Sequence, residues 1–149
     1  MAVEVGQEAP DFTLRDENNQ PVHLADLRGQ PVVLVFYPLD FSPVCTGEMC
    51  NFRDDWSEFE QSGAKVFGIS RDSVWSHKAF KEKEGLKHGL LADMSGEVAR
   101  LYGAWDEKAG LAERLTVVID KDGKVVYTTK SANLATPRDH REVIAALQG

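Results

Sequence analysis

Two cysteines among 149 residues are too few for a disulfide framework, because small domains that depend on such staples are dense in cysteine. No apolar run approaches the roughly 20 residues of a membrane span. The opening Met1-Ala2-Val3-Glu4-Val5 also lacks the basic-then-apolar order of a secretory leader. Positive charge is short: 17 Lys and Arg stand against 24 Asp and Glu, for a net charge of −7. That balance disfavours the phosphate backbone of nucleic acid and anionic membrane surfaces as partners. His23, His77, His88 and His140 are scattered without metal-ligand spacing, and two cysteines with no histidine close by in the chain do not make a zinc site. Neither a metal nor a cofactor is expected. What remains is a chain 42% hydrophobic and 28% charged, ordinary for a globular protein. It is expected to form one domain over 1–149, and to be cytoplasmic.

No repeat, linker or low-complexity stretch divides the chain. Phe12-Thr13-Leu14 and Val22-His23-Leu24 flank a polar turn and predict an N-terminal β-hairpin. Val32–Phe36 is apolar throughout, as a central strand buried on both faces should be. A helix is predicted from about Val44 to Gln61, with Met49, Phe52, Trp56 and Phe59 as its buried stripe. Lys65–Ile69 reads as a second core strand. Asp72 or Ser73 caps a helix that Gly85 ends, and a short helix covers roughly Gly96–Tyr102. Leu115–Ile119 and Lys124–Thr128 flank Asp120-Lys121-Asp122-Gly123 as a hairpin. Thr136-Pro137 is expected to open the last helix, with Val143, Ile144 and Leu147 inward. This order predicts an α/β fold of thioredoxin-like type, a central mixed sheet flanked by helices with the hairpin as an extension.

The chemistry concentrates where the first core strand meets its helix, in Pro38-Leu39-Asp40-Phe41-Ser42-Pro43-Val44-Cys45-Thr46-Gly47-Glu48. Ser42 is a good N-cap and Pro43 suits the first helical position. Cys45 then falls in the first turn, where unpaired N–H groups and the helix dipole favour an anion. A thiol there is a candidate for a lowered pKa. A buried cysteine in an apolar setting is otherwise simply core.

The spacing Pro38-x-x-x-Ser42-x-x-Cys45 resembles the peroxiredoxin active-site motif, and the resemblance spans nearly the whole chain. Ala9-Pro10-Asp11-Phe12-Thr13-Leu14 is similar to the family's opening, and Leu27-Arg28-Gly29 also fits. Arg114, just ahead of the strand at Leu115, stands where the family carries its active-site arginine. Tyr102–Leu111 looks like the alkyl hydroperoxide reductase E branch. Cys45-x4-Cys50 resembles the bacterioferritin-comigratory (peroxiredoxin Q) branch. The resemblance implies a thiol peroxidase acting on hydrogen peroxide, alkyl hydroperoxides or peroxynitrite. Its reductant would be thioredoxin, a glutaredoxin-like protein or a low-molecular-weight thiol, and a homodimer is among the assemblies implied. Cys45 would attack the peroxide. Ser42, Arg114 and the N–H groups of Val44 and Cys45 would hold it, and Pro38 would shield the pocket. Glu48 is either an anchor for Arg114 or a first-turn acid complementing the dipole.

Thiolate formation alone cannot carry such a reaction. Lowering a thiol pKa from about 8.5 to ~6 raises the thiolate fraction roughly thirtyfold. The accompanying loss of nucleophilicity is about thirteenfold, so the net gain is only two- to threefold. Most of the acceleration must come from aligning the peroxide and stabilising the departing oxygen. Cys50 is either a resolving thiol or a packed one. Five residues along an intact helix separate Cα atoms by about 8.6 Å, beyond the roughly 7 Å a disulfide tolerates, so resolution by Cys50 requires local unwinding. A one-cysteine cycle with an external thiol and a redox sensor signalling through Cys45 stay open as alternatives. The lysines at 78, 81, 83 and 87 read as a solvated helix face. Leu39, Phe41, Trp75 and Trp105 are candidates either for core or for a dimer contact.

Overall fold

The structure, a computed structural model, describes residues 3–148. Its strands are β1 (Thr13–Asp16), β2 (Pro21–His23), β3 (Val32–Phe36), β4 (Lys65–Ser70), β5 (Gly89–Ala92), β6 (Trp105–Asp106), β7 (Leu111–Ala112), β8 (Leu115–Ile119) and β9 (Val125–Lys130). Its helices are α1 (Pro43–Asp54), α2 (Trp56–Gln61), α3 (Val74–Glu84), α4 (Glu97–Leu101) and α5 (His140–Gln148), with a 3-10 turn at Leu24–Leu27. Seven strands form one sheet in the order β2-β1-β5-β4-β3-β8-β9, and β6 pairs β7 apart from it. β3, β4 and β5 are mutually parallel, whereas β8 runs antiparallel to β3. The mixed thioredoxin-like sheet and the N-terminal hairpin are therefore as the sequence predicts.

Alternation along β3 divides the core in two, because successive side chains point to opposite faces of a strand. Val32, Leu34 and Phe36 pack with Phe12, Val98 and Tyr102 on one face. Val33 and Val35 pack with Tyr37, Met49, Phe52, Phe59, Phe80, Val143 and Ile144 on the other. All five residues of β3 are buried, which is why the strand reads as an unbroken apolar run. Gly68 serves the second face: a Cβ there would stand 3.0 Å from the Tyr37 ring and 3.3 Å from Met49 Sδ.

Two local expectations are corrected. The helix predicted over 44–61 is broken at Asp55. There the chain leaves helical geometry, and the carboxylate accepts from His140 Nε2 at 2.5 Å and Arg141 Nη1 at 3.3 Å. The last helix starts at His140 rather than at Thr136. The reason is that the Arg138 N–H donates to Glu48 Oε2 at 2.7 Å, while Asp139 accepts from Arg141 N–H. Strand β5 is not among the predicted elements; its four residues carry little sequence signal. α3 follows its punctuation: Ser73 Oγ accepts from Ser76 N–H, and Gly85 closes the helix in the left-handed region. Among the described residues no helix is long and apolar enough to cross a membrane.

Candidate active site

The parallel strands β3, β4 and β5 all end at the same edge, where open α/β sheets gather their ligand sites. The loop 37–42 leaves β3 there and delivers Ser42 to the N-cap position of α1, with Pro43 opening the helix. Pro38 is buried and Cys45 is wholly so. Thr46 is the first α1 residue whose N–H finds a backbone acceptor, the Ser42 carbonyl at 2.9 Å. The N–H groups of Val44 and Cys45 lie ahead of it, in the turn that helices leave unpaired.

Ser42 does not cap α1 with its side chain. Its Oγ instead donates to the Leu39 carbonyl at 2.9 Å. The hydroxyl proton is thus committed to the loop, and the oxygen keeps its lone pairs for another donor.

Arg114 arrives from the sheet. Register pairs Thr116 with Val35, so the residues just ahead of β8 sit at the end of β3. The side chain is 3% exposed. Its Nε donates to Leu134 O at 2.8 Å and its Nη1 to Glu48 Oε1 at 2.5 Å. Among the described residues Nη2 has no protein partner. Arg138 grips the same carboxylate through Nε and Nη2, both at 2.9 Å, as well as through its backbone N–H. Its Nη1 also reaches Thr116 Oγ1 at 3.3 Å. Burial alone would push the Glu48 carboxyl up, but hydrogen bonds and charge from Arg138, with Arg114 behind them, hold it below the ordinary carboxylate range. One anion therefore stands within hydrogen-bond reach of two guanidinium groups, which leaves a surplus of one positive charge beside the first turns of α1.

Cys50 lies in the intact helix with Cys45, and both thiols are free. Its Sγ donates to Glu84 Oε1 at the end of α3, 3.5 Å away, and Arg53 Nη1 donates to the Glu84 carbonyl at 2.5 Å. Burial raises the Cys50 pKa; Arg53 opposes this and the Glu84 carboxylate reinforces it, so the group stays a thiol.

The structure thus brings Pro38, Ser42, Val44, Cys45, Glu48 and Arg114 to one edge, with Cys50 about a turn and a half beyond. It adds residues that the sequence did not single out. Arg138 is one. A cation just ahead of a helix start is disfavoured by the dipole, which was the available hint that it serves something else. His77 is another: it is not solitary but meets Asp40 under the loop at 2.8 Å. Of the aromatics considered for a dimer contact, Trp105 packs within the fold under the Arg100 guanidinium, 4.5 Å from its ring. Leu39, Phe41 and Trp75 stay exposed.

Comparison with known proteins adds the following. A model described as the AhpC/TSA family matches residues 5–128. The chain is 37% identical to peroxiredoxin Bcp of Bacillus subtilis (strain 168), over 99% of this chain and 95% of that one. It is 44% identical to the chloroplastic peroxiredoxin Q of Oryza sativa subsp. japonica, over 84% of this chain but only 58% of the plant protein. Peroxidoxin BcpB from Mycobacterium tuberculosis superposes with a TM-score of 0.87 at 36% identity, over 97% of this chain and 96% of that one. Enterococcus faecalis AhpC gives 0.90 at 27% identity, over 99% and 92%.

Proposed function

The chain belongs to the AhpC/TSA family and is a peroxiredoxin, a thiol-dependent peroxidase, and on that premise we propose that Cys45 is its peroxide-reducing cysteine and Cys50 its resolving partner. The observation that carries this reading is Arg114, clamped through Nε and Nη1 with Nη2 left over at the edge where Cys45 begins its helix.

In the proposed reaction the Cys45 sulfur attacks one oxygen of R–O–O–H. The S–O bond forms as the O–O bond breaks, the sulfur is oxidised to sulfenic acid, and RO⁻ leaves to take a proton. Ser42 Oγ accepts from the peroxide O–H, an orientation supported by its own proton being given to Leu39. Arg114 Nη2, together with the N–H groups of Val44 and Cys45, donates to the oxygens as charge moves onto the leaving one. Pro38 keeps water from the floor. Glu48 orients Arg114, and Arg138 holds Glu48 so that the carboxylate does not neutralise the arginine outright.

Resolution follows when α1 unwinds. Cys50 gives up its proton and its thiolate attacks the sulfenic sulfur; the S–S bond forms as the S–O bond breaks, and the hydroxyl leaves with that proton as water. A dithiol reductant, or two monothiols in succession, then restores both thiols and is itself oxidised to a disulfide. The contact with Glu84 supports a Cys50 that stays protonated and packed on α3 until that unwinding. Thioredoxin, a glutaredoxin-like protein or a low-molecular-weight thiol would supply the electrons, in the cytoplasm. Exposed Leu39, Phe41 and Trp75 offer a surface for a second copy. Both core clusters pack on one seven-stranded sheet, which supports reading 1–149 as one domain.

Stopped-flow peroxide consumption by the parent, Cys45→Ser and Cys50→Ser tests the assignment. The first substitution should abolish consumption. The second should leave a single burst and impair recycling by thioredoxin. Turnover surviving in Cys45→Ser would overturn the reading, and undiminished recycling in Cys50→Ser would leave a one-cysteine cycle.

A further inference from the structure

Under the loop that carries Ser42 lies a buried polar cluster that the proposed reaction does not use. The side chains of Asp40 and His77 are both fully shielded from solvent. Asp40 Oδ1 accepts from Tyr37 Oη at 2.5 Å, and Oδ2 accepts from Ser76 Oγ at 2.9 Å and faces His77 Nδ1 at 2.8 Å. His77 Nε2 faces the Leu91 carbonyl at 2.9 Å. A carbonyl only accepts, so Nε2 carries a hydrogen and one further proton lies between Nδ1 and Oδ2. The Asp40 backbone N–H donates to Asp72 Oδ2 at 2.9 Å, an oxygen that also takes Ser70 Oγ at 2.5 Å. Asp40, Asp72 and His77 could each turn an atom toward a common point, but these hydrogen bonds already account for them. The loop is thereby fastened to the end of β4, to α3 and to β5.

Immediately after Asp40 the backbone is strained. Phe41 has φ of 68°, the left-handed region, which is a genuine outlier for a bulky residue. Its ring lies 5.1 Å from the Phe80 ring and 5.8 Å from Lys83 Nζ, yet it remains about half exposed. Such a conformation persists only where its surroundings over-determine it. Asp40 supplies that constraint on one side and the start of α1 receives its consequence on the other. If Asp40 were released, Phe41 could relax to negative φ, and Ser42, Pro43 and the first turn of α1 would move with it.

We infer that Asp40 and His77 are positioning residues forming a latch that holds the β3–α1 loop in its peroxide-reducing geometry, and that opening this latch is what lets the first turns of α1 unwind toward Cys50. The second half rests on Cys50 being the resolving thiol.

Tyr37→Phe removes one hydrogen bond to Asp40 with little change of shape, and His77→Gln removes the ring that joins Asp40 to Leu91. Hydrogen exchange of the reduced proteins, peptide by peptide, reads unwinding without using Cys50 chemistry, and quenched-flow mass spectrometry reads oxidation of Cys45 and disulfide formation. In Tyr37→Phe, exchange over 44–50 should rise about tenfold, the effect of losing one hydrogen bond to a buried carboxylate. Peptides of β3 and β4 should hold their protection. Oxidation by hydrogen peroxide should slow while disulfide formation speeds up, and His77→Gln should push each change further. A purely structural role would instead loosen all peptides together and slow both steps. That outcome, or oxidation and local exchange both staying within a factor of two of the parent, overturns the latch. If the parent forms no Cys45–Cys50 disulfide, the Cys50 assignment fails, while the exchange over 44–50 still decides the latch.

Discussion

Two buried carboxylates bracket Cys45 in sequence, Asp40 before it and Glu48 after it, and they are satisfied in opposite ways. Asp40 is met by a phenol, a serine hydroxyl and one imidazole, with the Asp72 carboxylate taking its backbone N–H. Glu48 is met by two guanidinium groups and carries a surplus positive charge. The partners of Asp40 come from Tyr37, the residue after β3, and from α3, and fasten the loop. Those of Glu48 come from the residues ahead of β8 and α5 and reach α1 one turn beyond the thiol. The lesson is one of electrostatics. A carboxylate satisfied by hydroxyls and one imidazole fixes geometry without a surplus of cations, whereas an over-paired carboxylate leaves its cations free to stabilise a developing anion. The first governs where the sulfur is held and the second how readily an oxygen leaves.

The sharpest way to break this comparison is to remove charge on the Glu48 side alone. Arg114→Met keeps bulk but deletes the donor, while Arg138 still satisfies Glu48. The second-order rate constant for Cys45 oxidation should fall by about 10²–10³, the usual result of deleting one transition-state donor. Circular dichroism should show the fold retained. A loss under tenfold would mean that the surplus charge is not what the reaction uses.

Glu48→Gln attacks the same site from the anion. It leaves two buried guanidinium groups without a counter-ion, and breaking a buried pair costs on the order of 3 kcal/mol. Denaturant unfolding should report that loss, and urea midpoints near the parent's would show the cations finding other acceptors. The pH dependence has a definite sign. A carboxyl held below its ordinary range contributes stability above its unfolded value that is lost as pH falls through the folded one. The parent should therefore lose this contribution in acid below the ordinary carboxylate range, and Glu48→Gln should not.

How much of this was legible in the sequence divides along the same line. Pro38, Ser42, Val44, Cys45 and Glu48 fall within a dozen residues, so helix capping and spacing bring them together locally. β3 was legible because burial on both faces demands an apolar run, and α3 because Ser73 and Gly85 mark its ends. The partners of the two carboxylates were not legible. Arg138 is 90 residues from Glu48, and His77 is 37 from Asp40. Only the sheet order brings them near. The same long-range bonds displaced the helix boundaries. Asp55 breaks α1 from α2 while serving His140, and Arg138 delays α5 while serving Glu48. Local propensity has no access to either event.

Acid provides a subtler separation of the two sites through a third buried group. His88 is 1% exposed; its Nε2 lies 3.3 Å from Met49 Sδ, and among the described residues its Nδ1 has no partner. Burial, with Lys81 adding to it, lowers its pKa from 6.5 to about 3. Between those values the unfolded chain takes up a proton that the folded one refuses, so stability falls as pH drops, by up to ~1.4 kcal/mol per pH unit. His88→Phe should flatten urea midpoints between pH 6.5 and 5, where Glu48 is still ionised. If the slope survives in His88→Phe, burial of His88 is not what sets the acid response.

The smallest expected effect falls on the residue that the two sites share. Ser42 lies between the latch and the charged turn, and its hydroxyl donates to Leu39. A hydrogen bond of this kind is worth about 1 kcal/mol. Ser42→Ala should therefore slow Cys45 oxidation by only about fivefold, far less than Arg114→Met, and Ser42→Thr should restore it, because threonine offers the same oxygen. If the hydroxyl acts only through the loop, Ser42→Ala should also raise exchange over 44–50, as the latch variants do. If it acts by receiving the peroxide proton, exchange should stay at the parent level while the rate still falls. The arrangement favours the second outcome: three side chains and a backbone N–H fasten Asp40, so one hydroxyl bond two residues further on adds little to the hold, whereas at the peroxide no other side-chain oxygen has been assigned the acceptor's part.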